Sequence, residues 1–336
     1  MHKEKSRVTA ALFFVKKYVS FFTHNIYVSI HSVIAKGEQG QNRTCKHTMG
    51  RLNDTRLFGY MVDKAQIALD NETGKSIRAM FHLAVIRSTR FSGENLHMTD
   101  KIMYDWPIIL STDPEMIAKI EKLEKYDIVD IKGTFVTKKI IKNAYCKGEN
   151  GCNACNKVDG NICYIMPIAL AKRNREGDIY TEKQAMQEVI ANREFSNNIH
   201  LIGNLCNPVN YFHDDSVQTS VFQVATDRKY VVTSDNSDIH ADFPIIRSYG
   251  KQAKKDSICL QKGSTIVIDG YLHTRNFPRK TICSSCGNEF EWKDCTTEII
   301  PFVEEYVAGY IDYETALKNE KQKAAEEGAA YAESIF

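Results

Sequence analysis

Short runs of alternating apolar and polar residues recur over residues 53–307, and this pattern predicts a mainly β protein. The runs form two sets of five, with a helix predicted between the third and fourth run of each set. In the first set Met116, Ile117, Ile120 and Leu123 fall at helical spacing, and in the second set the matching segment is 250–263. The first set covers 53–62, 76–91, 104–110, 127–140 and 163–172. The second set covers 197–206, 220–230, 241–250, 264–277 and 296–307.

The two sets are copies of one pattern. The motif Asp-aromatic-Pro-Ile-Ile occurs at 105–109 and again at 242–246. In both copies a cysteine follows a glycine by 13 residues, as the differences 146 − 133 and 283 − 270 show. Five strands with one helix between the third and fourth, occurring twice, predict tandem Greek-key five-stranded barrels of the OB-fold type.

Composition and capping signals divide the chain into parts. We predict the first barrel over residues 49–171 and the second over 197–311. The intervening segment, 172–196, begins with a charged stretch, and Thr181 with Gln184 forms a capping-box pattern, so we predict a linker helix there.

Both ends of the chain are expected to lie outside the barrels. Residues 312–336 are rich in Ala, Glu and Lys and predict a helical, then flexible, tail. Residues 1–48 are interpreted as an extension outside the core, and Met49 is an alternative start. The apolar patches in this extension are interrupted by polar residues and fall short of the roughly 20 residues that a spanning helix needs. A helix lying on a membrane surface is the alternative for this segment.

The charge balance limits the kinds of partner. The chain has 336 residues, a net charge of +2 and a charged fraction of 26%, so a nucleic-acid site would have to be a local basic surface. Neither a phosphate-binding Walker loop nor a GxSxG motif occurs, and we therefore predict a binding protein rather than an enzyme. We predict no membrane partner and a cytoplasmic location.

A longer motif in the second copy is more specific. "LQKGSTIVIDGYLHTRNF" at 260–277 follows "YGK" at 249–251, "FQVA" at 222–225 and an opening strand at 197–205. In this order and spacing the motifs resemble the bacterial single-stranded DNA-binding protein family over about 197–302, and more weakly over 53–168. The resemblance implies OB-folds that bind single-stranded DNA without sequence preference, in replication, recombination or repair, at the bacterial nucleoid.

The resemblance also implies which residues contact DNA, since the family stacks bases on aromatic rings and holds phosphates with basic residues. The implied stacking residues are Tyr230, Phe243, Tyr249 and Phe277, with Phe91 and Trp106 in the first copy. The implied phosphate contacts are Arg228, Lys229, Lys251 and Arg275, with Arg87, Arg90, Lys138 and Lys139 in the first copy. Phe277 is expected to be exposed, whereas Phe81 and Phe222 are expected in the core. Ile140 replaces the matching aromatic residue in the first copy, which predicts weaker binding there.

Seven of the ten cysteines lie in two loops between the fourth and fifth strands. The first set is Cys146, Cys152, Cys155 and Cys163, and four thiolates with one CxxC can hold a structural zinc ion. The second set, Cys283, Cys286 and Cys295, has three thiolates, so His273, Asp294 or a water could complete it, or the site could bind no metal. Buried or redox-active thiols are the alternative for both sets.

Assembly and partners follow from the same resemblance. Family members with one barrel per chain form tetramers, so two barrels per chain suggest a homodimer. The chain ends in "ESIF", and Ile335 with Phe336 resembles the family's tail that recruits replication and repair proteins; a frayed helix end is the alternative. Three other functions stay open: a protein-interaction module of a replication or conjugation machine, a single-stranded RNA binder, and a cysteine-based redox enzyme.

Overall fold

A computed structural model describes residues 52–87, 102–146, 152–174, 177–214, 217–228 and 241–335 of the chain. All of them fall in one unit, Arg51–Phe336. The predicted extension at 1–48 lies outside the described residues. The predicted domain boundaries stay a prediction. Within the described residues, no helix is long and apolar enough to cross a bilayer.

The first barrel is a closed ring of five strands in the order β1-β3-β5-β7-β6, and β1 closes it by pairing with both β3 and β6. Its elements are β1 Asn53–Met61, β2 Gln66–Leu69, β3 Ser76–Ile86, β4 Tyr104–Asp105, β5 Ile108–Ser111, α1 Pro114–Ile120, β6 Ile128–Tyr145 and β7 Cys155–Lys172. Helix α1 begins where predicted, because Asp113 accepts a hydrogen bond from the Met116 N–H and Pro114 suits the first helical position.

The second barrel repeats this ring with β8-β10-β12-β14-β13. Its elements are β8 Asn197–Leu205, β9 Asn210–His213, β10 Gln218–Asp227, β11 Ala241–Asp242, β12 Ile245–Tyr249, α3 Gly250–Cys259, β13 Thr265–Ile282 and β14 Glu289–Ala308. Each barrel has one parallel pair of neighbouring strands, β5 with β7 through Ile109 and Ile165, and β12 with β14 through Ile246 and Ile299. The tandem barrels with one helix each confirm the predicted fold class.

Two details of the strand prediction are wrong. The short edge strands β2 and β9 were not expected, since their residues are mostly exposed and show little alternation. The third predicted run, 104–110, is split into β4 and β5. Proline has no N–H to donate to a ladder, and Pro107 lies at the break, as Pro244 does between β11 and β12.

The remaining helices connect and extend the barrels. Helix α2, Glu182–Ala191, starts with the predicted capping box of Thr181 and Gln184, and a short 3-10 helix, Arg193–Phe195, follows it. Ala185 and Val189 are buried against the first barrel, so α2 covers that barrel rather than standing free as a linker. Helix α4, Tyr313–Ile335, forms the predicted helical tail.

Strands β1 and β8 pair antiparallel, from Asn53 opposite Leu201 to Leu57 opposite Asn197, and this joins the two barrels into one continuous sheet. Asn53 donates to the Phe135 carbonyl and accepts from the Phe135 N–H, both at 2.9 Å. Asn197 makes the same two bonds to Leu272, also at 2.9 Å. Each buried amide therefore prolongs the ladder where the regular strand pairing ends.

The core of each barrel is apolar, as the sequence pattern predicts. Phe81 and Phe222, expected in the core, are both 3% exposed. They belong to one continuous cluster that includes Leu57, Ile131 and Ile268 and reaches across the β1–β8 junction. The two barrels therefore share their hydrophobic core as well as their sheet.

The two cysteine-bearing loops are the ends of long β-hairpins. Pairing continues to Tyr145 opposite Cys155 in β6–β7, and to Ile282 opposite Glu289 in β13–β14, well beyond the strand ends that the sequence predicts. Each hairpin has a register shift at its base, beside Gly133 and Gly270. A Cβ on Gly270 would lie 2.4 Å from the Ile300 carbonyl oxygen, so only glycine fits there. Bulges of this kind bend a strand, and the cysteine-bearing tips of the two hairpins lie together.

Candidate nucleic-acid interface and cysteine cluster

An exposed ring of the first barrel is fixed by the second barrel. Trp106 is 49% exposed, and its backbone N–H donates to the Thr274 hydroxyl on β13 at 2.8 Å. The preceding Asp105 is fully buried and accepts from Arg87 at 3.0 and 3.1 Å and from the Thr274 N–H at 2.9 Å, with His273 Nδ1 at 2.8 Å. Burial alone would raise the pKa of Asp105, but these hydrogen bonds outweigh it and the pKa is lowered.

The second barrel has the same arrangement, and here the first barrel supplies the contact. Phe243 is 41% exposed, and its N–H donates to the Thr137 hydroxyl on β6 at 2.9 Å. The buried Asp242 accepts from Arg228 at 2.6 and 2.9 Å and from the Thr137 N–H at 2.8 Å. Each barrel thus presents one exposed ring next to the base of the other barrel's hairpin. Trp106 and Phe243 are the aromatic residues of the repeated Asp-aromatic-Pro motif, so the repeat accounts for their equivalent positions.

These contacts change the role expected of two arginines. Arg87 and Arg228 were implied as phosphate contacts, but their side chains are only 20% and 9% exposed and their guanidinium groups bind the buried Asp105 and Asp242. An arginine held by a buried carboxylate supports the segment around it and offers little charge to solvent. The aspartates that they bind directly precede Trp106 and Phe243 in the chain.

The outer face of the second barrel carries a network that sequence reasoning missed. Arg247 on β12 donates through Nε and Nη2 to Glu298 on β14, at 2.7 and 3.1 Å, and Arg275 on β13 donates to the same carboxylate at 3.0 Å. The guanidinium of Arg275 lies 5.2 Å from the centre of the Phe277 ring. Burial raises the pKa of Glu298, but the two arginines outweigh it and the pKa is lowered. Tyr249, 46% exposed, follows two residues after Arg247 on the same face of β12. The two-residue spacing of Arg247 and Tyr249 was the sequence signal that could have placed both side chains on one face.

The equivalent face of the first barrel is apolar. The two parallel pairings align Leu110 with Arg247 and Tyr164 with Glu298. Tyr164 is buried with Val136 and Met166, and Leu110 packs against this cluster. The first barrel therefore has no counterpart of the Arg247–Glu298 pair among these positions.

The other implied DNA contacts are placed as follows. Lys251 and Lys138 are exposed, at the start of α3 and on β6. Phe277 was expected to be exposed but is half-buried, as is Ile140. Arg90, Phe91, Lys229, Tyr230 and Phe336 lie outside the described residues, as does the side chain of Ile335.

Four cysteine sulfurs meet where the two hairpin tips converge. The Sγ atoms of Cys146 and Cys152 from one tip and of Cys283 and Cys286 from the other all lie within 4.8 Å of one another. The Cys146–Cys286 distance is 3.9 Å and the Cys152–Cys283 distance is 3.8 Å. We call this group the hairpin cluster. It could hold a metal ion.

The hairpin cluster corrects the predicted grouping of cysteines. Each loop contributes two ligands to one shared site, whereas the sequence predicts a separate site in each loop. Cys155, Cys163 and Cys295 are not part of the cluster found among the described residues. His273 and Asp294, considered as completing ligands, bind elsewhere: His273 contacts Asp105, and Asp294 accepts from Lys142 and Arg279 at 2.5 and 3.0 Å.

The surroundings of Cys283 favour its thiolate form, whereas at Cys152 the hydrogen bond from Ala154 is outweighed by burial and by the neighbouring Cys283 and Cys286, which raise the pKa. Backbone N–H groups of Cys286 and Ser285 donate to the Cys283 sulfur and lower the pKa of that thiol to about 6. Asn156, on the opposite hairpin, lies 3.7 Å from the same sulfur through Nδ2 and accepts from the Ser284 N–H at 2.8 Å. A thiolate, not a thiol, binds metal, so this geometry suits a metal ligand.

The hairpin arms are also joined below the cluster. Lys142 on β6 reaches Asp294 on β14 across the gap between hairpins, and Arg279 on β13 donates to the Asp159 carbonyl on β7 at 3.1 Å. Arg279 also lies 5.4 Å from the centre of the Trp292 ring. The two hairpins therefore form one stalk that carries the cluster at its end.

Comparison with known proteins identifies the second barrel. Residues 196–284 match the model of the single-strand binding protein family. No curated protein matches the sequence. The fold is similar to the wild-type single-stranded DNA binding protein from Thermus aquaticus, with a TM-score of 0.46, 14% identity and coverage of 76% of this chain and 92% of that one.

Two further solved structures are similar. A deletion mutant of the Thermus aquaticus protein has a TM-score of 0.47 and 13% identity, covering 78% of this chain and 98% of that one. The small single-stranded DNA-binding protein from Streptomyces coelicolor has a TM-score of 0.24 and 16% identity, covering 32% of this chain and 92% of that one. The resemblance predicted from the motifs at 197–302 is confirmed by the family model, which matches the second barrel over residues 196–284.

Proposed function

We propose that this protein binds single-stranded DNA without sequence preference, and that it serves DNA replication, recombination or repair. The observation that carries the proposal is the reciprocal placement of Trp106 and Phe243, two exposed rings held by hydrogen bonds from the opposite barrel. Every base has a flat face, so rings of this kind bind unpaired strands with little dependence on sequence. The family match on the second barrel supports the same function.

Binding to labelled oligo-dT, followed by fluorescence anisotropy, tests this proposal. Since each stacked base contributes roughly 1–3 kcal/mol, replacing both Trp106 and Phe243 with alanine should weaken binding by at least tenfold. Phe195→Ala is the matched control, because this ring is 56% exposed but lies on the 3-10 helix. Unchanged affinity in the double variant would favour a protein-interaction module, and a clear preference for oligo-U would favour an RNA binder.

We propose that the hairpin cluster holds one structural zinc ion. Four thiolates are a common donor set for structural zinc, and at a Zn–S distance of about 2.3 Å a tetrahedron places its sulfurs about 3.8 Å apart. The observed distances of 3.8 and 3.9 Å fit this geometry. The ion would supply no catalytic chemistry, and its role would be to hold the two tips together. Metal analysis should give one zinc per chain; two, or none with thiol turnover, would contradict this.

We propose the remaining roles from the resemblance. Two barrels per chain suggest a homodimer, which light scattering would test, and a monomer at micromolar concentration would contradict it. The tail that ends in Ile335 and Phe336 is proposed to recruit replication or repair proteins. A site built from reduced thiolates suits the cytoplasm, where we place the protein.

A further inference from the structure

The four sulfurs of the hairpin cluster include two close pairs, and each pair joins one tip to the other. Cys146 of the first tip lies 3.9 Å from Cys286 of the second, and Cys152 of the first lies 3.8 Å from Cys283 of the second, sulfur to sulfur. To reach the S–S bond length of about 2.0 Å, each pair has to close by about 1.8 Å. The cluster therefore has the layout of two disulfides as well as that of a metal site.

Each pair combines one sulfur that solvent can reach with one that it cannot. Cys286 is exposed and its neighbour Cys146 is fully buried, while Cys152 is partly exposed and its neighbour Cys283 is 1% exposed. Oxidation begins at a thiolate that the oxidant can reach, and a second cysteine beside it then converts the product into a disulfide. Both pairs supply these two kinds of cysteine.

The two tips are held in place by bonds that involve no metal ion. The Cys146 N–H donates to the Ala154 carbonyl at 3.0 Å, and the Cys283 carbonyl accepts from the Gly287 N–H at 2.9 Å. Below the cluster, an ion pair between Lys142 and Asp294 joins the two hairpins. The paired sulfurs should therefore stay close to each other when the ion leaves.

We propose that the hairpin cluster is a peroxide-reactive site, where oxidation releases the metal ion and forms two disulfides between the hairpins, Cys146–Cys286 and Cys152–Cys283. This inference rests on the proposed zinc site and adds an oxidised state to it. Because both disulfides connect one tip to the other, the stalk stays closed in both states.

Hydrogen peroxide is the oxidant, and each cluster consumes two molecules of it. The thiolate of Cys286 or Cys152 attacks one peroxide oxygen, the O–O bond breaks, hydroxide leaves and the sulfur becomes a sulfenic acid. The thiolate of the buried partner attacks that sulfur, the S–S bond forms and a second hydroxide leaves. Each pair of cysteines loses two electrons and each peroxide gains two, and the hydroxides take up protons from solvent to become water. Zinc keeps its double positive charge and leaves, because thiolates are its ligands and none of the four remains.

Peptide mapping of the full chain under non-reducing conditions tests the proposal. The protein is loaded with zinc, its zinc content is measured, and hydrogen peroxide is added while a colorimetric chelator detects the released ion. We expect release of the zinc together with the two disulfides between the tips. Disulfides within a tip, Cys146–Cys152 or Cys283–Cys286, would overturn the proposal, and so would zinc that stays bound.

Two variants make the mapping specific. Cys155→Ser with Cys295→Ser removes the other exposed cysteines of the described residues, and this variant should react like the wild type. Cys286→Ser removes one member of one pair, so peroxide should form only Cys152–Cys283 in the cluster and leave Cys146 as a free thiol. A bond between Cys146 and Cys152 in this variant would show that pairing occurs within a tip.

The melting temperature gives an independent measurement. The oxidised, zinc-free protein should melt above the reduced, chelated protein by up to roughly 10 °C, because its disulfides connect the same distant segments of the chain. Equal melting temperatures would contradict a cross-link between the hairpins. If the untreated protein contains no zinc, the proposed zinc site fails, whereas wrong disulfides in zinc-loaded protein overturn only the oxidation step, so the two failures are distinguishable.

Discussion

Removing the metal from the hairpin cluster should destabilise the whole protein. The cluster ties Cys146 to Cys283, which are 283 − 146 = 137 residues apart in the chain. Closing a loop of that length in the unfolded chain costs about 5 kcal/mol in the chain-entropy treatment of a cross-link. Loss of the metal should lower the free energy of unfolding by up to this amount. The melting temperature should then fall by up to roughly 10 °C.

The assay is thermal unfolding followed by circular dichroism, with and without a strong chelator. Cys286→Ser should melt like the chelated wild type and should not respond to chelator, because it lacks one of the four ligands. Cys295→Ser is the matched control, since this cysteine is exposed and lies outside the cluster, and it should melt like the metal-loaded wild type.

Two results would refute this reasoning. If chelation leaves the melting temperature unchanged while zinc is removed, the salt bridges below the cluster, such as Lys142 with Asp294, already hold the hairpins. If instead Cys155→Ser or Cys163→Ser releases the zinc, each hairpin binds metal by itself, as the sequence grouping predicts, and the shared site is wrong.

Two further predictions concern buried polar groups in the barrels. Burial and the neighbouring Asp256 raise the pKa of Glu304 well above its usual value, so the stability that its bound proton contributes is present at low pH and lost as pH rises through the folded pKa. Glu304→Gln should match the wild type in urea unfolding at low pH and become the more stable protein at higher pH; parallel pH profiles would contradict this. Asn197→Ala should cost roughly 2–4 kcal/mol in the same assay, since it removes two buried hydrogen bonds to Leu272. A loss under about 1 kcal/mol would show that water replaces the amide.

The barrels could be predicted from the sequence because the signals that specify them are local or repeated. Alternation marked the strands, the Asp113 and Thr181 caps marked two helix starts, and the repeated glycine-to-cysteine spacing fixed the register of the two copies. The repeat also predicted a helix after the third strand of each ring. Each of these features depends on neighbours within a few residues or on comparison of the two copies. None of them requires knowledge of three-dimensional contacts.

The cysteine grouping could not be predicted, because it depends on how two distant hairpins bend. In sequence, Cys152 and Cys155 form a CxxC pair that looks like half of a zinc site. In the structure Cys155 begins β7 and is exposed, while Cys152 turns toward Cys283 of the other hairpin. A spacing rule assumes that ligands close in sequence share one ion, but here each tip gives two cysteines to one group shared with the other tip.

The partners of the arginines could not be predicted for a related reason. Arg87 and Arg228 occupy positions where the resemblance implies phosphate contacts, yet each binds a buried aspartate whose own position depends on the other barrel. Arg247 lies within an otherwise ordinary strand run, and its ion pair with Glu298 becomes evident only in the fold. A basic residue in a motif does not show whether its charge is available, because that depends on which carboxylate lies near it in the fold.

Some residues of the repeat occur in both barrels and others differ between them. This distribution suggests that the two barrels have different roles. The side chains that join the copies occur in both: Asn53 and Asn197 prolong the ladders, and Thr137 and Thr274 hold the opposite ring. Each buried aspartate is bound by an arginine of its own barrel and by a threonine N–H of the other barrel, so a shift of one hairpin would remove a hydrogen bond from the other barrel's aspartate. The outer faces carry no such reciprocal requirement, and there the copies differ, with an apolar cluster around Tyr164 in one and an arginine network in the other. We therefore expect both barrels to offer a ring to a single strand, and the outer faces of the two barrels to contribute differently to binding.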